Sequence, residues 1–240
     1  MPSSNNTLAR TINYASACVG QVPLVGIGGN ANEPAFSIAD WVRNFILAPP
    51  FSWRWNRQVN YITTTIGQQD YTLQQANLGW LEQATILVNG QTQQLEVWLD
   101  LSEETVNNQP VRIATRLDDT EGNITFRISP PPDKAYKITI TFQRSSSLFQ
   151  ATTDTWSPIP DYLSYLYNQG FLAKTYEYRN DARFALSMQM FVRQVIAANA
   201  GLTDSQVNIF LGDRLNTQRE AQNATGTSSS AQAGRGFFNG

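Results

Sequence analysis

The apolar residues of this chain change period twice, from helical to alternating and back, and that double change limits the folds open to it. Leu8, Ile12, Ala15 and Val19 recur at helical spacing behind Thr7, which is placed to cap a helix ending at Gly20. A Gly- and Asn-rich stretch follows from Val22 to Pro34. Ser37 is then expected to cap a second helix over Ile38–Leu47, with Trp41, Val42, Phe45 and Ile46 on its buried side, and Pro49-Pro50 to stop it.

From Phe51 to about Arg144 the period becomes two. Val59, Tyr61 and Thr63 fall on one phase of a strand and Ile62 and Thr64 on the other. A Gly67–Asp70 turn leads to a short strand at Tyr71-Thr-Leu73. Thr85–Asn89 and Gln94–Trp98 flank Gly90 as a hairpin. Ile124–Ile128 breaks at Ser129-Pro-Pro-Pro-Asp133, and Tyr136–Phe142 returns with Tyr136, Ile138, Ile140 and Phe142 one way and Lys137, Thr139, Thr141 and Gln143 the other. Several short strands at this spacing point to a small sandwich or barrel.

Beyond Pro158 and Pro160 the helical period resumes. Leu163, Leu166, Tyr167, Gly170 and Ala173 form one stripe. After a cap at Asn180 or Asp181, Phe184, Met188, Phe191 and Val195 form another, which Leu186, Val192 and Ile196 widen enough to suggest burial on more than one side. The sequence therefore reads as an α+β fold: a helical bundle built from N- and C-terminal helices, an inserted antiparallel β-sandwich or barrel-like domain, and an extended C-terminal arm. The expected boundaries are residues 1–50 and 146–201 for the two halves of the bundle, 51–145 for the β-domain and 202–240 for the arm. After Glu220 the only charged residue is Arg235, and the arm has too little apolar surface to fold alone. Phe237 and Phe238, with Arg235 beside them, are natural anchors for a partner's pocket.

Composition removes most enzyme classes. Histidine is absent, which takes away the usual general base and the commonest zinc ligand. Cys18 is the single cysteine, so no intrachain disulfide or thiolate cluster forms; on the apolar side of the first helix it reads as a small buried hydrophobe. No cofactor and no metal is expected. Two acidic clusters, Asp118-Asp119-Thr-Glu121 and Glu103-Glu104, could serve a carboxylate-only glycosidase, but they read better as solvated loop charges. Gly26-Ile-Gly28-Gly29 lacks the frame of a phosphate-binding loop and reads as a connection.

Charge narrows the partners. Only 15% of residues are charged, against roughly 25% in an average soluble domain, and the net charge is −2. Such a surface does little to keep copies apart, and it lacks the basic stripe of a dedicated nucleic-acid binder. No run approaches the roughly 18 apolar residues of a membrane span, and the start of the chain lacks the pattern of a signal peptide, so cytoplasmic synthesis is expected. Trp53 and Trp55, two and four residues after Phe51, have two readings. Together with Trp80 they could be a stacking platform in a carbohydrate-binding β-module of a virion surface. More in keeping with large aromatics, Phe51, Trp53 and Trp55 clamp the second helix against the sheet.

The order of parts resembles the head-to-tail adaptor (connector or neck) proteins of short-tailed bacteriophages. A helix ends in Ala17-Cys-Val-Gly20-Gln-Val-Pro23, and a second runs into Phe51-Ser-Trp-Arg-Trp55, a strand and Tyr71-Thr-Leu73. Thr141-Phe-Gln-Arg144 precedes Trp156-Ser-Pro-Ile-Pro160-Asp-Tyr162, and paired helices then carry Tyr176-x-Tyr178-Arg-Asn-Asp181 before the tail. The resemblance implies a non-enzymatic structural subunit of a homo-oligomeric ring, typically of twelve copies, between the portal protein and the tail nozzle or tube. DNA would pass through the lumen during ejection without sequence-specific binding. The ring would sit in the neck of the virion after assembly in the host cytoplasm, away from any membrane, with the arm climbing the portal.

Overall fold

A computed structural model describes residues 5–19, 34–74, 78–118 and 123–199. Helix α1 (Leu8–Val19) buries Leu8, Thr11, Ile12 and Ala15, one face at i, i+3, i+4 and i+7. Its first N–H groups, Leu8 and Ala9, donate to the carbonyls of Asp154 and Thr152 at 2.9 Å each. Cys18 is exposed, contrary to the buried position expected from the helical period. The stripe ends at Ala15, and the last turn runs past the packed surface.

Helix α2 (Pro34–Leu47) begins four residues earlier than expected, with Pro34 in the first turn, where its missing N–H costs nothing. Ser37 therefore lies inside the helix rather than at its cap. The helix buries residues on most of its circumference, from Ala35 and Phe36 to Ile46 and Leu47. Helix α3 (Ser164–Tyr178) follows a single 3₁₀ turn, Asp161–Leu163, and touches α1, α2 and α4 (Phe184–Ala198). Gly170 makes the close approach possible. A Cβ there would lie 2.7 Å from Phe191 Cε2 and 2.8 Å from Val42 Cγ1. Asn180, at φ 53°, closes α3, with the Asp181 N–H donating back to the Tyr176 carbonyl at 2.9 Å. Asp181 then accepts the Arg183 N–H at 2.9 Å just ahead of α4.

Trp156 joins the outer helices to the connection behind the sheet. Fully buried, it stacks on Tyr167 of α3 at 4.4 Å and donates its indole N–H to Thr11 Oγ1 of α1 at 2.9 Å.

The strands are β1 (Arg57–Thr63), β2 (Asp70–Gln74), β3 (Leu78–Val88), β4 (Gln91–Trp98), β5 (Arg112–Asp118), β6 (Asn123–Ser129) and β7 (Lys137–Arg144). They form one seven-stranded sheet in the order β1-β7-β3-β4-β5-β6-β2. The short connection 64–69 joins its two outermost strands, and Tyr71 Oη ties that connection down through Thr65 and Gln68. The sheet thus curls nearly closed around one core containing Ile62, Ile86, Ile113, Phe126, Ile138 and Ile140.

The expected antiparallel domain is corrected in one pairing: β4 and β5 run parallel, Glu96 opposite Arg112. The long connection 99–111 supplies the return that a parallel pair needs, pinned inside by Leu101. β5 escapes a reading by alternation because Ile113 and Ala114 are both fully buried. The β3–β4 hairpin turns at Asn89-Gly90, both residues at positive φ (51° and 78°), the two-residue geometry that Asn-Gly favours. Gln143 is a second correction. Placed by alternation on the phase of Lys137, Thr139 and Thr141, away from Ile140 and Phe142, it is fully buried like them, beside the register shifts of β3 between Leu78 and Gln83. All described residues fall in one compact unit, Met1–Gly201; the arm at 202–240 lies outside them.

Candidate functional site: the helix–sheet junction and the exposed apolar surface

Phe51 and Trp53 are 1% and 4% exposed. Their rings continue a chain of aromatic contacts from α4 into the step before β1: Phe191 to Phe45 at 5.0 Å, Phe45 to Phe51 at 6.0 Å, Phe51 to Trp53 at 6.3 Å and Trp53 to half-buried Trp55 at 5.4 Å. The indole N–H of Trp53 donates to the Ile46 carbonyl at 2.7 Å, and that of Trp80 to the Leu47 carbonyl at 3.1 Å. Both carbonyls belong to the last turn of α2 and have no partner within the helix. With Trp53 buried and both N–H groups turned inward, the three tryptophans do not offer one open stacking face.

A polar lock lies under the step. Gln143 accepts the Trp53 backbone N–H at 3.2 Å and donates to Glu82 at 2.7 Å. Glu82 also accepts from Ser52 Oγ at 2.6 Å and from the Arg57 guanidinium. Burial works to raise the Glu82 pKa, but the hydrogen bonds from Arg57, Ser52 and Gln143 and the charge of Arg57 outweigh it and hold the carboxyl below its ordinary value.

Beside the step a cavity of about 440 Å³ opens between Arg54, Trp55, Tyr162, Leu163 and the end of α4 at Ala198. A wider hollow of about 680 Å³ adjoins Arg43 and the connection 145–158. Arg43 is 3% exposed; its pKa is lowered by burial, which the charge of Asp40 only partly offsets. The guanidinium binds Asp40 and the Ser147 carbonyl and lies 3.7 Å from the Phe149 ring centroid. That arrangement fastens the connection to α2.

Of the acidic residues expected to be solvated loop charges, Glu103 and Glu104 do lie in a loop, Glu103 exposed, but each meets an arginine. Glu104 accepts from Arg112 at 3.0 Å and from Ser129 Oγ at 2.5 Å, and Glu103 lies 3.5 Å from Arg127. Arg127, 4% exposed, donates through Nε and Nη2 to both oxygens of Asp70 at 2.8 and 2.7 Å. This network escaped a reading by spacing, although a basic residue in the middle of Ile124-Thr-Phe-Arg-Ile128 is the signal that something acidic covers that face. Asp119 and Glu121 lie outside the described residues, as do Gly26, Gly28 and Gly29.

Several large apolar side chains are left exposed by the described residues. Leu99 is 99% exposed, and Trp98 beside it 49%. Leu186 and Met190 lie outward on α4, while Met188, Phe191 and Val195 turn in. This is a surface built for contact, with its aromatic clamp inside and apolar side chains outside.

Among known families, the model described as SU10 adaptor protein matches residues 22–219, well over half of the chain. The chain belongs to the SU10 adaptor protein family. As an SU10 adaptor it is a phage structural protein of the virion neck, and that role brings it against portal and tail proteins. No curated protein matches it. The SU10 adaptor match covers α2, the whole sheet, α3 and α4, so the junction residues Phe51, Trp53 and Trp55 lie within it. Arg235, Phe237 and Phe238 lie beyond both the match and the described residues. Among the described residues no helix is long and apolar enough to cross a membrane.

Proposed function

We propose that this chain is one subunit of a homo-oligomeric ring that joins portal to tail and forms part of the conduit for DNA. The observation that carries this reading is the adaptor family match over residues 22–219. In this reading α1, α2, α3 and α4 act as one bundle, residues 1–50 with 146–201, and build the body of the ring. The β-domain, residues 51–145, projects from it towards a neighbour, and the arm, 202–240, reaches the portal. Two physical features support it. The weak net charge of −2 lets like subunits crowd, and gives DNA no sequence-reading surface. Contacts repeated around a ring add through avidity, so no single pair has to be strong.

The arm is the part most open to test. Deleting Thr217–Gly240 leaves the circular dichroism of the core unchanged and abolishes joining to the portal, and Phe237→Ala with Phe238→Ala weakens docking in the same assay. Normal incorporation of the truncated chain into particles contradicts the role given to the arm.

A further inference from the structure

A closed ring of identical subunits needs two different surfaces on each chain, one to give and one to receive, related by a rotation that closes. The described residues carry such a pair. On one side Trp98 and Leu99 protrude at the end of β4, where the chain leaves the sheet. The Trp98 indole N–H donates to Glu96 at 3.1 Å, on the face of β4 that Arg112 of β5 shares. Scattered exposed leucines are ordinary, but Leu99 at 99% exposure next to half-exposed Trp98 forms a knob. On the other side the cavity of about 440 Å³ beside Arg54, Trp55 and Tyr162 is of the size that takes a bulky side-chain pair, within the range of about 300–1,000 Å³ for binding pockets. Trp55 in its wall has a buried indole N–H with no acceptor among the described residues.

Charge matches the two. Exposed Glu96 and Asp100 adjoin the knob in the chain; Arg112 sits 5.6 Å from the Trp98 ring and is paired with Glu104. Exposed Arg54 and partly exposed Arg57 rim the cavity, the latter paired with Glu82, while Asp161 next to Tyr162 turns its carboxylate to the Asn5 and Asn6 N–H groups. Topology also separates them. β4 is the middle strand of the order, three strands from β1, and in a nearly closed sheet that lies across from the β1 margin where the cavity opens.

We infer that the Trp98–Leu99 knob of one subunit seats in the Arg54–Tyr162 cavity of the next copy of this chain. The inference rests on the ring reading above and names the contact that closes it. Leu99→Asp disables the knob, and Tyr162→Asp sets an acidic group in the cavity against the acidic rim. Both positions are exposed, so each variant keeps the wild-type circular dichroism and Tm. The full-length chains are measured by native mass spectrometry, alone and with isolated portal protein of the phage. Each variant alone loses assembly by about tenfold or more. A 1:1 mixture restores at most one good contact per pair and closes no ring. If both variants form rings like the wild type, or the mixture closes rings, the contact is wrong and the ring reading stands. If the wild type stays single both alone and with portal, the ring reading fails and the contact with it.

Discussion

Arg127 holds a full charge at 4% exposure on the outer face of β6, so its partners decide whether the sheet tolerates it. Asp70 takes most of that burden, and hydrogen bonding from Arg127 holds its carboxyl below the ordinary carboxylate range, against the opposing effect of burial. The sign follows from the depression: the stabilisation is fully present above the ordinary Asp pKa of about 3.9 and fades as pH falls through the lower folded value. Asp70→Asn is expected to cost about 1–2 kcal/mol at pH 7, less than a fully buried pair because Asp70 is itself partly exposed. Urea unfolding of both chains checks this, and the gap between them should close below about pH 4. Little of this network was legible in the sequence. Asp70, Arg127 and Glu103 are distant in the chain, and only strand register brings Asp70 opposite Arg127. Cys18 misled for the opposite reason: helical period gives direction but not how far the packed surface extends.

At the scale of elements, periodic segments were legible and irregular ones were not. The alternation of β7 from Ile138 to Phe142, the Asn89-Gly90 turn and the stripes of α1, α3 and α4 each carry a local signal that tertiary contacts reinforce. The start of α2 and the whole of β5 carry none, since α2 is buried on most of its circumference and β5 on adjacent residues. Two substitutions test how the elements meet. Gly170→Ala forces a methyl against Phe191 and Val42 and should destabilise the fold by about 1–3 kcal/mol, read as a lowered Tm. Trp53→Ala removes a buried ring and leaves the Ile46 carbonyl without its donor, an expected loss of about 3–5 kcal/mol in chemical denaturation. A wild-type unfolding midpoint for Trp53→Ala would return Trp53 to the surface role that its burial argues against.

For the molecule as a whole, the absence of histidine and the light charge already pointed away from catalysis and towards assembly, and the family match agrees with an adaptor role. The two surfaces inferred to meet were less legible. Exposure of Leu99 depends on where β4 leaves the sheet, and the cavity beside Tyr162 on how α4 ends against the step before β1. Neither can be read from spacing: no period marks where β4 ends, and the cavity is made by segments far apart in the chain. The ring reading requires these surfaces to be covered in the particle and bare on the free subunit. The most direct measurement is the mass of the full-length chain bound to isolated portal protein, set against its mass alone. Many copies in one closed, fixed stoichiometry on the portal is the predicted result; single copies, or no binding at all, would contradict it.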